Sequence, residues 1–250
     1  MVKLLKHELY ALFRILAYIA VAVVVFAAVG RLLAETETVL SRLFIMFYVF
    51  AILALIITAW ALGISRFYKT MFSGEGYMTL SLPVSATELI FAKLISSLIA
   101  MAFATVVSAL SLGIFLIGQD PSILNFLGQS IGELFMGFWE LAKADPLHFV
   151  DEIINFIVTL PLMLLVFYSA LCLGQLSTSH RRLLTFGIVV GGYIVYTLLS
   201  VFCLSPILDA AAQVSIYLYD WVGIVLKAGV DVGCFFLVRY ILMHRVNLIV

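Results

Sequence analysis

The chain has little charge and few of the residues that build small secreted folds. Only 11% of its 250 residues are Asp, Glu, Lys or Arg, against about 25% in an ordinary soluble domain. Three cysteines are too few for a disulfide framework, and 14 basic against 14 acidic residues give no positive field for nucleic acid. With 20 Phe and 11 Tyr, the chain is also too aromatic to be disordered. A composition that is 65% hydrophobic indicates a membrane protein.

Six apolar runs are long enough to cross a bilayer, which takes about 20 residues for about 30 Å of hydrocarbon. They are Ile15–Leu33, Leu43–Ile64, Leu94–Ile117, Ile153–Leu173, Leu183–Leu204 and Trp221–Met243. Helices are expected because a backbone in lipid has to satisfy its own hydrogen bonds. The sequence therefore predicts an all-α, polytopic membrane protein with one transmembrane domain over residues 1–250.

The basic residues predict the orientation of these spans. Six spans put both termini on one side of the membrane, and that side carries ten of the 14 basic residues. They are Lys3, Lys6, Arg14, Arg66, Lys69, Lys93, Arg181, Arg182, Arg239 and Arg245. Because Lys and Arg are retained on the cytoplasmic side, both termini are predicted to be cytoplasmic.

Two segments outside the spans have helical periodicity. The N-terminal stretch Val2–Phe13 alternates Leu5, Leu9 and Leu12 with Lys3 and Lys6, which predicts an amphipathic helix in the cytoplasmic headgroup layer. The outer loop Gly118–Glu152 is too long to lack structure, and its apolar residues recur at helical spacing. It is predicted to be an amphipathic helix on the outer leaflet, with a lid over a cavity as the alternative.

The cytoplasmic loop Ser65–Lys93 carries the most specific pattern. Its Ser-Gly-Glu-Gly run at 73–76 predicts a turn, and Ser85 or Thr87 is placed to cap the helix that leads into the third span, with Glu88 in its first turn. Its apolar residues include Phe72, Tyr77, Met78, Leu80 and Leu82. They either pack under the helix bundle or bind a partner.

This loop resembles a segment of known transport proteins. The stretch FYKTMFSGEGYMTLSLPVSATELIFAKL is similar to the loop between spans two and three in permeases of ATP-binding-cassette (ABC) transporters, exporter type-two class. In particular, it resembles the short six-span Gram-positive-like form of this class. The matching residues are Glu75, Gly76, Tyr77, Leu82, Pro83, Val84, Ser85 and Lys93, with Gly74 in place of the usual acid. The N-terminal MVKLLKHELYALFR and C-terminal YILMHRVNLIV also resemble the ends of that class.

The resemblance implies a specific role and specific partners. Such a permease lies in the bacterial plasma membrane, pairs with a second copy or a sister permease, and engages cytoplasmic ABC ATPase subunits. The loop between spans two and three then forms a coupling helix on the ATPase, in a helix-in-groove mode. The residues expected to carry this contact are Phe72, Glu75, Gly76, Tyr77, Leu80, Leu82 and Pro83.

Motifs for chemistry within the chain are lacking. No Gly-x-x-x-x-Gly-Lys-Ser/Thr sequence is present to bind nucleotide phosphates, so ATP and Mg²⁺ are expected in the partner ATPase and no cofactor in this chain. No hydrolase or zinc-protease motif occurs, and the four histidines are scattered. No catalytic residue and no metal site are predicted, and the chain is not expected to be an enzyme.

The last two spans contain charged residues and glycines of interest. Lys227 and Asp231 are four residues apart in the sixth span, so they share a helix face and are a candidate intramembrane ion pair. Such charges mark either a structural contact or a pathway. Gly187 and Gly191 in the fifth span, and Gly229 and Gly233 in the sixth, have the spacing of close helix packing, within the bundle or at a dimer seam.

The third span has a stripe of small residues on one face, for which packing is the favoured interpretation over a substrate groove. They are Ser97, Ala100, Ala104, Ser108 and Ser111. The favoured function is alternating access for an unknown cargo, driven by ATP. The alternatives are an ATP-independent secondary transporter or channel, and a membrane subunit that transmits ATPase motion without moving cargo.

Overall fold

The described part of the chain is helical. The computed structural model describes residues 2–33, 39–72, 85–116, 145–176, 181–199 and 216–244, together with 136, 139 and 142–143. Its helices are α1 (Val2–Leu33), α2 (Val39–Phe72), α3 (Ala86–Leu116), α4 (Pro146–Gly174), α5 (Arg181–Leu199) and α6 (Ile216–His244).

Five of these helices are long and apolar enough to cross a membrane, namely all except α5. They have 29 to 34 residues, or about 44 to 51 Å, which exceeds the hydrocarbon thickness of about 30 Å. Only 11% to 33% of their most apolar windows is buried inside the chain. The remaining apolar surface requires lipid, so the chain is a multi-pass helical membrane protein. Helix α5 has 19 residues and a shorter apolar stretch, Leu183–Gly192.

Helix α1 differs from the prediction at its N-terminal end. A separate amphipathic helix was expected over Val2–Phe13, but these residues continue into the first span as one helix of 32 residues. The physical reason is that no Gly or Pro interrupts residues 2–29. The buried stripe also continues without a break, through Glu8, Leu12, Leu16, Ala20, Val23 and Ala27.

The starts of α3 and α4 are defined by N-caps. Ser85 and Glu88 form a reciprocal capping box: Glu88 N donates to Ser85 Oγ and Ser85 N donates to Glu88 Oε2, each at 3.3 Å. The predicted capping role of Ser85 is thereby confirmed. Helix α4 begins at Pro146, earlier than the predicted span start at Ile153, because Asp145 caps it and accepts from His148 N at 3.3 Å. The predicted outer helix lies almost entirely outside the described residues.

The contacts within the chain divide it into two compact units. The first comprises Met1–Ser65 and Ile95–Trp139, and the second comprises Arg66–Leu94 and Glu140–Val250. The core of the first unit is formed by α1, α2 and α3. It contains Leu12, Leu16, Val23, Ala27, Tyr48, Leu55, Ala59, Ala100 and Ala104.

Within the first unit, α2 and α3 are antiparallel. Tyr48 and Ser111 share a hydrogen bond of 3.0 Å between their hydroxyl groups, while Gly63 packs against Ser97. A Cβ at Gly63 would lie 2.9 Å from Ser97 Oγ, so the glycine allows a close helix approach. All five residues of the predicted small-residue stripe on α3 are buried. This observation agrees with the packing interpretation of the stripe.

Within the second unit, α4 packs along α6, and α5 packs against α4. His148 contacts Asp220, and one to two turns further along α4 Asn155 contacts Lys227. Both contacts join residues 72 positions apart in sequence. Because the offset is constant, α4 and α6 run parallel.

Candidate functional site

The end of α2 and the start of α3 flank the segment that resembles an ATPase-coupling loop. Helix α2 ends at Phe72 and α3 begins after Ser85, so residues 73–84 connect the two helices. They are called the inner segment here, after the cytoplasmic side that the sequence predicts for them. Of the predicted coupling residues, Phe72 is described, and its ring lies 6.1 Å from those of Phe67 and Tyr68. Glu75, Gly76, Tyr77, Leu80, Leu82 and Pro83 lie outside the described residues.

An aromatic stack in the second unit anchors the end of α2. The rings of Phe67 on α2 and Tyr168 on α4 are stacked and almost parallel, with centroids 4.0 Å apart and an interplanar angle of 8°. Both side chains are fully buried, as is Met71. Thr70 is also buried and donates its hydroxyl hydrogen to Arg66 O at 2.6 Å. The last turns of α2 are therefore packed rather than projecting freely.

The beginning of α3 is packed in a similar way. Leu89, Ile90 and Ala92 are buried within one turn of the capping box. Lys93, which the resemblance places at the opening of the third span, is only 2% exposed and has an interaction of its own. The residues on both sides of the inner segment therefore lie in packed helix turns.

A second group of polar residues lies in the interface of α4 and α6, here called the polar seam: His148, Asn155, Thr159, Asp220, Lys227 and Asp231. At its start, His148 Nδ1 and Asp220 Oδ2 are 2.9 Å apart and both atoms are buried. No well-aligned hydrogen bond joins these two atoms.

Further along the seam, the structure places the ammonium of Lys227, a candidate partner of Asp231, against α4. Its Nζ donates to Asn155 Oδ1 at 2.6 Å and lies 3.4 Å from Thr159 Oγ1. Asp231 Oδ1 is buried and has no hydrogen-bond partner among the described residues. The ammonium thus contacts two neutral oxygens of α4 rather than the carboxyl group of Asp231.

The sequence interpretation did not single out Asn155, Thr159, His148 or Asp220. A signal was available for the first two, since Asn155 and Thr159 are four residues apart in an apolar span and so share a face. The parallel direction of α4 and α6, which brings this face to Lys227, is a tertiary property that local spacing does not report.

The four glycines predicted to pack helices face open space. A Cβ added at Gly187, Gly191, Gly229 or Gly233 would meet no atom within 4 Å. Helix packing at these positions within the described part of this single chain is therefore not close. A contact with a second chain at these glycines stays a prediction.

Among the described residues, no three His, Cys, Asp or Glu side chains are grouped so that they could hold a metal ion. The described cysteines, Cys172 and Cys234, are free thiols within helices.

The fold defines the class of protein as a multi-pass helical membrane protein. Buried helix turns lie on both sides of its short inner segment, and the polar seam lies between α4 and α6. Comparison with protein-family models, curated proteins and solved structures gives no match for this chain.

Proposed function

We propose that this chain is the permease subunit of an ATP-driven ABC exporter in the bacterial plasma membrane. In this proposal the inner segment couples the permease to a separate cytoplasmic ATPase. The permease pairs with a second copy or a sister permease, and the complex alternates access for a cargo. The observation that carries the proposal is the way the inner segment is attached. A sequence that resembles the coupling loop of this class joins two helices whose adjoining turns are buried.

A six-span topology is supported by the direction of α4 and α6. Because these helices run parallel, the chain between them has to return across the membrane once. Helix α5 has 19 residues, or about 28 Å, which is close to the length that a crossing needs. In our proposal α1 to α3 complete a set of six spans, and both termini lie on the side rich in Lys and Arg, the cytoplasmic side.

The need for an ATPase partner is supported by the sequence. The chain has no phosphate-binding loop of the ATPase type, so ATP-driven transport requires energy from another polypeptide. In our proposal, closure of the ATPase pair displaces the inner segment, and α2 and α3 carry the displacement into the membrane as a rigid-body switch between two packings.

The test is reconstitution of the chain with the ABC ATPase of its own genome. We expect Glu75→Ala and Tyr77→Ala to weaken the complex and to lower coupled ATP hydrolysis at least tenfold, with normal membrane insertion. Matched controls are Glu152→Ala and Tyr219→Ala, which remove the same residue types at exposed positions predicted to face the outside. Complex stability and turnover at wild-type levels in both inner-segment variants would exclude the docking role.

The polar seam favours one alternative, an ATP-independent secondary transporter or channel. Ionisable residues within spans commonly mark ion pathways in such proteins. Cargo movement in liposomes that contain this chain alone, without ATPase or ATP, would support the alternative. The third possible function is a membrane subunit that transmits the motion of the ATPase without moving cargo. It predicts that the complex hydrolyses ATP but that no cargo stimulates the hydrolysis.

A further inference from the structure

The middle of α6 carries a carboxyl group that the structure leaves incompletely paired. Asp231 is ten residues from the predicted start of its span, or about 15 Å along the helix axis, which is near the bilayer centre. The side chain is half-buried, and its Oδ1 is buried without a hydrogen-bond donor among the described residues. An ionised carboxylate in such a position is costly, because a buried acceptor with full charge lacks both water and a donor.

The nearest cation on the same helix is bound elsewhere. Lys227 lies one turn from Asp231, and that spacing lets an ammonium reach the carboxylate. In the structure the ammonium donates to Asn155 Oδ1 at 2.6 Å, with Thr159 Oγ1 at 3.4 Å. Two neutral oxygens are poorer partners for an ammonium than an ionised carboxylate is. This arrangement is expected when the carboxyl of Asp231 is neutral.

Other ionisable groups on the packed elements have different partners or positions. On α4, His148 contacts Asp220. Asp151 is buried, but it lies two to three helical turns before the part of α4 that is level with Asp231. Cys172 is a buried thiol further along α4. On α6, Cys234 has a side-chain hydrogen bond with Ser169. On α3, which contacts α6 through Phe91 and Phe235, Lys93 is buried with an interaction of its own.

We propose that Asp231 is a proton-binding site within the membrane and that Lys227 changes partner with its state. With the proton bound, the carboxyl is neutral and the ammonium stays on Asn155 and Thr159, as in the structure. When the proton leaves the carboxyl O–H for water, the carboxylate attracts the ammonium, which releases Asn155 and forms an ion pair along α6.

The exchange of partners changes the contact between two helices. In the protonated state Lys227 links α6 to α4, whereas in the ionised state both charges are satisfied within α6. The proton is therefore linked to the packing of α4 on α6. The proposal requires only that α6 spans the membrane, so it does not depend on an ATPase partner.

The experiment is an infrared and NMR titration of the full chain in liposomes of neutral lipid. Near pH 6 to 7, where an exposed Asp is ionised, we expect a protonated-carboxyl band in the wild type that disappears in Asp231→Asn. Raising the pH should remove the band and, over the same range, shift the ¹⁵N resonance of the Lys227 side chain, which is identified by its loss in Lys227→Met. In Asp231→Asn this shift should be lost, because the amide cannot ionise.

The matched control is Asp220→Asn, the same substitution on the same helix at a carboxylate that faces His148. It should retain both the carboxyl band and the Lys227 shift. A wild-type protein without the band near pH 6 to 7, or a band that persists in Asp231→Asn, would show that Asp231 binds no proton there. A Lys227 resonance that shifts equally in Asp231→Asn would show that the two residues are not coupled.

Discussion

At the scale of single residues, the first unit depends on side chains small enough to let α2 and α3 approach. Gly63 faces Ser97, and further along the pair Tyr48 bonds to Ser111. In lipid the hydrophobic effect does not drive helices together, so van der Waals contact and hydrogen bonds between helices carry the packing. Ala100 and Ala104 complete the same face of α3 and are almost fully buried.

We expect Gly63→Ala to destabilise the first unit, by about 1 to 3 kcal/mol, as is typical for overpacking. The new Cβ would lie 3.0 Å from Ser97 Cβ as well as 2.9 Å from its Oγ, so rotation of the hydroxyl alone gives no relief. Unfolding in mixed detergent measures the effect. The double variant Gly63→Ala/Ser97→Gly should regain most of the loss, and Gly113→Ala, in open space, should be neutral. Equal stability of all three variants would contradict this packing.

Residue spacing predicted which charges share a helix face but not which partner each one binds. Lys227 and Asp231 have the i,i+4 spacing of a pair, yet the ammonium lies on Asn155. The spacing is a local property, whereas the choice of partner depends on how α4 lies against α6. Burial of the α3 stripe was predictable because the period of small residues is also a local property. The contact of His148 with Asp220 was not predictable because it depends on how α4 lies against α6.

At the scale of elements, the helix ends determine how the inner segment is held. The capping box of Ser85 and Glu88 satisfies backbone N–H groups at the start of α3. The end of α2 is held instead by the stack of Phe67 on Tyr168.

We expect Ser85→Ala to fray the first turn of α3, at a cost of about 1 kcal/mol. Faster amide hydrogen exchange at residues 86–89 is the readout. Ser85→Asp should retain slow exchange because its carboxylate also caps. Thr87→Ala is the control, since Thr87 lies inside the helix. Exchange rates unchanged in Ser85→Ala would show that the capping box does not order this turn.

Element boundaries were less predictable than element positions. Apolar runs located five candidate membrane-spanning helices, because an apolar length of about 20 residues is a direct requirement of the bilayer. The same runs did not show where helices continue into polar sequence. Helix α1 extends to Val2 and α4 begins at Pro146, because caps and uninterrupted helix formers rather than hydropathy determine the ends.

At the scale of the whole molecule, much of the surface is apolar and some of it lacks side-chain bulk. Gly187 and Gly191 form an open stretch on α5, and Gly229 and Gly233 form another on α6. Lipid covers such surfaces in a monomer, but the spacing also suits a helix from the second chain of the proposed complex.

We expect Gly187→Leu/Gly191→Leu to weaken association with the proposed second permease chain while the fold of each chain persists. Open space at both positions leaves room for the new side chains, so the loss should appear in the assembly and not in stability. Subunit counting by single-molecule photobleaching in liposomes measures association. The control is Val190→Leu, an exposed position on the same helix without a glycine. Unchanged association would show that this part of α5 lies outside the seam between permeases.

The most direct test of the central claim is cross-linking of the inner segment to the ATPase. With the three native cysteines replaced, Tyr77→Cys is paired with single cysteines on the ATPase surface in sealed, inside-out vesicles. Our account predicts a cross-link whose yield changes when ATP is added, together with labelling of Tyr77→Cys only from the cytoplasmic side. Labelling of this cysteine by an impermeant reagent added outside intact cells would contradict the account.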